Sequence, residues 1–133
     1  MFRVADILAE IEHGYTEHNR SPSDGDILRW AAGSCENEQR LYDEIGAELA
    51  RGYHVRRYSF EFCDRVVNDL YGSMIIKQVN KPSRVWPELF WRVYLAFDAG
   101  EHHSKPHADP VSEFTDPEIA DIVRGLTGCV EGR

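Results

Sequence analysis

From Leu89 to Phe97 the chain reads LFWRVYLAF, with Arg92 as its one charge. A helix built from this segment has almost no face fit for water, so it belongs at the centre of a fold rather than on its surface. Pro87 is tolerated only in a helix's first turn, which sets the expected helix at about residues 86–100. Whatever the rest of the chain forms must cover that helix.

The cover is predicted to be helical. Val4, Ile7, Leu8, Ile11 and Tyr15 recur at the spacing of one helix face and predict a first helix over residues 3–18. Ser21 followed by Pro22 reads as an N-cap with proline at the first helical position, starting a second helix that carries Ile27, Leu28 and Ala31, with Trp30 a further candidate for that face. Ser34 is the expected cap of a third, with Leu41, Tyr42, Ile45 and Leu49 on its face, or else a bend in one continuous helix. Ser59 caps the clearest one, whose stripe is Cys63, Val66, Val67, Leu70, Tyr71, Met74 and Ile75. Asp116 and Pro117 predict the start of a short last helix ending at Gly128.

The one strand-like run, YHVRRY at residues 53–58, has nothing to pair with and reads as a connector. The expected fold class is therefore all-α: an irregular bundle of five to six helices around the central aromatic-rich helix, in one domain over residues 1–133. No repeat or low-complexity tract divides it.

Composition narrows the class further. No stretch reaches the roughly 20 apolar residues of a membrane span. Asp6, Glu10 and Glu12 interrupt what an N-terminal signal would need as an apolar run, so the expected setting is the cytoplasm and no membrane. Three widely spaced cysteines, Cys35, Cys63 and Cys129, fit reduced thiols, with Cys63 as core filling.

Net charge is −8, and its distribution is uneven. Lys and Arg number 4 against 11 Asp and Glu in residues 1–50, 8 against 4 in residues 51–97, and 3 against 8 in residues 98–133. An acidic chain repels phosphates, which argues against nucleic acid as a partner. The exception, Arg51, His54, Arg56 and Arg57 among Tyr53 and Tyr58, has the makings of a single-strand stacking surface, but the plainer expectation is a solvated loop whose arginines pair with the acidic N-terminal half.

Ionisable residues cluster where the central helix ends: Asp98, Glu101, His102, His103, His107 and Asp109. If the helix runs through His102, then Asp98, Glu101 and His102 share one face, and a mixed carboxylate–imidazole set suits a divalent transition metal such as zinc. The spacing matches neither H-E-x-x-H nor a di-iron E-x-x-H pair, and Gly100 weakens the helix inside it. A polar helix end is the plainer expectation, with imidazolium ions near the C-terminal dipole. His13, Glu17 and His18 read as a solvated face, as do Asp64, Asn68 and Asp69. Arg92, alone among apolar residues, is expected to be buried in a structural pair with a helix-end carboxylate.

No nucleophile elbow and no glycine-rich phosphate loop occurs. The favoured expectation is a non-enzymatic protein-interaction module that binds a basic protein partner, as small immunity and antitoxin proteins do; that comparison rests on size and composition. Its contact surface is expected on the acidic first half, at Asp43, Glu44 and Glu48. The alternative is a metal-binding protein or metal-dependent hydrolase using Asp98, Glu101, His102, His103 and His107. Trp30, Trp86, Phe60 and Phe114 sit at segment edges, which predicts surplus apolar surface and a homodimer.

Overall fold

The computed structural model describes residues 3–34, 37–101 and 109–131. These form six α-helices and no strand: α1 (Val4–His18), α2 (Asp24–Ser34), α3 (Glu38–His54), α4 (Phe60–Asn80), α5 (Glu88–Gly100) and α6 (Asp116–Glu131). A π-helical turn, Val111–Thr115, runs directly into α6. The all-α bundle expected from periodicity is what the chain forms.

α5 packs against α3, α4, the π-helical turn and α6, and α3 in turn touches α1, α2, α4 and α6. The centre is therefore a helix pair, α3 with α5. Their backbones come close because Gly46 has no side chain: a Cβ there would stand 3.1 Å from the Phe90 Cα. One core gathers Ile7, Ile27, Leu41, Val66, Phe90 and Ile119, one from each helix and each essentially solvent-free. Burying such side chains stabilises the fold by roughly 1.5–3 kcal/mol apiece.

The helix ends correct several expectations. α2 is capped by Ser23 rather than Ser21: its hydroxyl accepts from the Asp26 N–H at 3.1 Å, while Asp26 accepts from the Ser23 N–H at 3.0 Å. This reciprocal box satisfies two donors at once, which a proline-led start at Ser21 would not. α2 and α3 are separate helices, and Asn37 rather than Ser34 caps α3 by accepting from the Arg40 N–H at 2.8 Å. Ser59 caps α4 as expected, accepting from the Phe62 N–H at 3.1 Å.

Asp116 caps nothing. The helical path begins earlier, where Asp109 accepts from the Ser112 hydroxyl and N–H. Asp116 lies in mid-path and takes the Tyr53 hydroxyl at 2.6 Å instead. The extra residue of the π turn turns Thr115 inward, where its hydroxyl donates to the Ala96 carbonyl at 2.7 Å. Gly100 is buried against Thr115 and Phe60, leaving no room for a Cβ. That crowding is why a glycine stands at the last position of α5.

Arg92 differs from expectation, and Trp30 takes the core face of its helix rather than a segment edge. Trp30 is 1 % exposed and belongs to the core, its indole N–H donating to Glu10 at 3.1 Å. Arg92 is exposed rather than buried, and it reaches Glu118 at 2.8 Å and Asp121 at 2.6 Å on α6. Cys63 is buried core filling, as expected. Among the described residues no helix is long and apolar enough to cross a membrane.

Candidate functional site

The acids expected to meet a partner all have intramolecular contacts. Asp43 accepts the Phe90 N–H at 3.0 Å, Glu44 pairs with Arg40 at 3.0 Å, and Glu48 pairs with Arg57 at 3.4 Å and accepts from the Tyr58 hydroxyl. Burial pushes the Asp43 carboxyl above the usual carboxylate range, against the donors that favour its charge.

The basic connector is likewise internally matched. Arg56 stacks over the Tyr53 ring at 4.7 Å and pairs with Asp116, while Arg57 stacks over Tyr58 at 5.5 Å and pairs with Glu48. His13 and His18 are exposed on α1 with ring centroids 5.6 Å apart.

The seam between α4 and α5 holds a different constellation. Trp91 and Tyr94 lie three residues apart on α5, hence on one face, and Tyr71 of α4 meets them. Tyr71 stacks on Tyr94 with centroids 4.4 Å apart and on Trp91 at 5.7 Å; Trp91 stacks on Tyr94 at 5.4 Å. Trp86 closes the row edge-on against Trp91 at 5.5 Å. All four rings are only half-buried, so the ladder lies along the surface.

The ladder ends at carboxyls. Asp64, four helical positions before Asn68, lies beside Glu101 and Asp98 at the end of α5, and its pKa is pushed up to about 7. Burial is the largest cause, followed by a hydrogen bond to Glu101 and the charges of Glu101 and Asp98. Asp64 Oδ1 is buried and receives no N–H or O–H donor among the described residues, which adds to the cost of its charged form. Asn68 bridges them, donating to Glu101 at 3.1 Å and to the Asp64 carbonyl at 2.8 Å. Burial and then the Asp98 charge also raise the Tyr94 hydroxyl, which places the ladder within the field of these acids.

This corrects the reading of Asp64 and Asp69 as a solvated face. Asp69 is half-buried and accepts the Tyr15 hydroxyl at 2.7 Å. The signal for Asp64 was present only as a polar position next to Cys63 on the apolar stripe; what gives it chemistry is Asp98 and Glu101 at the end of α5, more than 30 residues away.

α5 ends at Gly100, with Glu101 as its C-cap. His102, His103 and His107 lie outside the described residues. Among those described, no three His, Cys, Asp or Glu side chains converge so as to hold a metal ion. Comparison with protein-family models, curated proteins and solved structures finds no match.

Proposed function

We propose that this protein is a non-enzymatic docking module whose α4–α5 aromatic ladder receives a cationic segment of a protein partner. The observation that carries the reading is the continuity of two features: a half-exposed stack of Tyr71, Trp91 and Tyr94, and carboxyls at its end. An arginine or lysine laid on such a stack gains about 0.5–2 kcal/mol from the ring faces. Its charge then reaches Asp64, where a cation offsets the burial and the neighbouring acids that disfavour the carboxylate.

The net charge of −8 supports the same reading from a distance, since it steers a basic partner inward and makes association sensitive to salt. Asp43, Glu44 and Glu48 contribute to that field. The test is a pull-down from the native host with three baits: the wild type, Trp91→Ala with Tyr94→Ala, and Glu44→Lys. A partner held by the wild type and the Glu44→Lys bait but lost from the ladder variant fits the proposal; a partner indifferent to the ladder rules it out. Elemental analysis of untagged protein addresses the metal alternative on Asp98, Glu101 and the histidines, since stoichiometric zinc would move the assignment there.

A further inference from the structure

Away from the ladder, α3, α4 and the loop leading into α5 line a half-open cavity of about 210 Å³. Its wall combines apolar surface from Tyr42, Met74 and Val85 with three charged side chains, Glu38, Lys77 and Arg84. Lys77 reaches Glu38 at 2.6 Å and Arg84 reaches the same carboxylate oxygen at 3.2 Å. The side chains are 15 % exposed for Glu38, 19 % for Lys77 and 32 % for Arg84, so the charges are largely withdrawn from water. Two cations thus share one carboxylate in a partly dry site. Asp24 stands 3.9 Å from Lys77, but it is mostly exposed and accepts the Ser73 hydroxyl at 2.6 Å.

Arg84 is the group with capacity left. Its contact with Glu38 is an ion pair through one guanidinium nitrogen, which leaves its other donors for a ligand. Its backbone is nonetheless fixed, because the Gln78 amide donates to the Arg84 and Pro82 carbonyls, each at 3.1 Å. An arginine anchored at its backbone, with guanidinium donors to spare, matches a planar carboxylate. We infer that this cavity is a binding site for a small monocarboxylate with an apolar body, its carboxylate on Arg84 and its body against Met74, Val85 and the Tyr42 ring.

Size sets the class of ligand. A cavity of about 150 Å³ holds benzene, so 210 Å³ suits roughly eight or nine non-hydrogen atoms. Benzoate is the direct probe. Its few atoms and the protein's negative charge put the expected dissociation constant at about 1 mM.

The inference goes beyond the docking role and uses none of the ladder residues, so either can fail alone. The experiment is an amide and arginine Nε NMR titration of the full chain with benzoate, benzyl alcohol and inorganic phosphate. Benzoate should give saturable shifts at Lys77, Gln78 and Arg84. Arg84→Gln should weaken binding about tenfold, the loss of one charge-assisted bidentate contact. Arg84→Lys keeps the charge without the fork and should weaken it less. Glu38→Gln removes the resident competitor and should tighten binding. Benzyl alcohol binding as well as benzoate overturns the anionic assignment. Phosphate binding as well as benzoate overturns the apolar one. Absence of saturable shifts at ten times the expected constant, or indifference to Arg84→Gln in a variant with an otherwise unchanged spectrum, overturns the site itself.

Discussion

The Asp43 carboxylate accepts the Phe90 backbone N–H at 3.0 Å, so a side chain of α3 caps the first turn of α5. Pro87, which precedes that turn, offers no side-chain acceptor, and the orphan donors of the helix are met from across the core. A residue expected on the contact surface thus also ties the two central helices together.

Replacing Asp43 by Ala should lower stability by about 1–2 kcal/mol, the usual effect of removing a helix cap. Asp43→Asn retains an acceptor oxygen and should lose less than half as much. Urea unfolding of the two variants distinguishes capping from surface charge: equal losses would mean that the charge, not the hydrogen bond, matters.

Phe90 is fully buried where α3 and α5 touch, and Phe90→Ala should cost about 3–5 kcal/mol. A loss below about 1 kcal/mol, the scatter of surface changes, would contradict the central helix pair. Gly46→Ala at the same crossing should destabilise too, because the added methyl meets the Phe90 Cα.

The Asp64 pKa of about 7 carries a sign. The unfolded carboxyl titrates near its ordinary value of about 3.9. Between those values the native state binds more protons than the unfolded state, so stability falls as pH rises and the loss is complete above about pH 7. Asp64→Asn removes this titration. The variant should be more stable than the wild type at pH 8, by about 1–2 kcal/mol after allowance for solvent screening, and close to it at pH 4. Thermal melts across pH 4–8 decide the matter, and parallel profiles would show that Asp64 titrates normally.

Arg92 bridges α5 to Glu118 and Asp121 in an exposed setting, where such pairs contribute at most about 1 kcal/mol. Arg92→Ala should therefore be nearly neutral at high salt. A loss above about 2 kcal/mol would mean that the pair is desolvated in a larger assembly.

Local signals were legible and tertiary ones were not. The stripe from Cys63 to Met74 and the Ser59 cap needed only helical spacing and one side-chain oxygen, so α4 could be drawn from sequence. The caps at Ser23 and Asn37 were misplaced by two or three residues because serines and asparagines crowd both junctions and any of them can accept an amide. Arg92 sits among apolar neighbours in sequence but faces α6 in space, and Trp30 is buried because Glu10 of α1 supplies its acceptor. The ladder and its carboxyls were hidden for the same reason: Tyr71 meets Tyr94, and Asp64 meets Glu101, only once α4 and α5 pack side by side.

The ladder as a cationic docking surface is tested most directly by NMR shift mapping with an arginine-rich peptide and a glutamate-rich control. The arginine-rich peptide should shift Tyr71, Trp91, Tyr94 and Asp64 together, and it should move the Asp64 titration below its midpoint of about 7, because a nearby cation favours the carboxylate. Both effects should vanish in Trp91→Ala with Tyr94→Ala. Shifts confined to the surroundings of Glu44 and Glu48, or an Asp64 midpoint unmoved at saturation, would contradict the account.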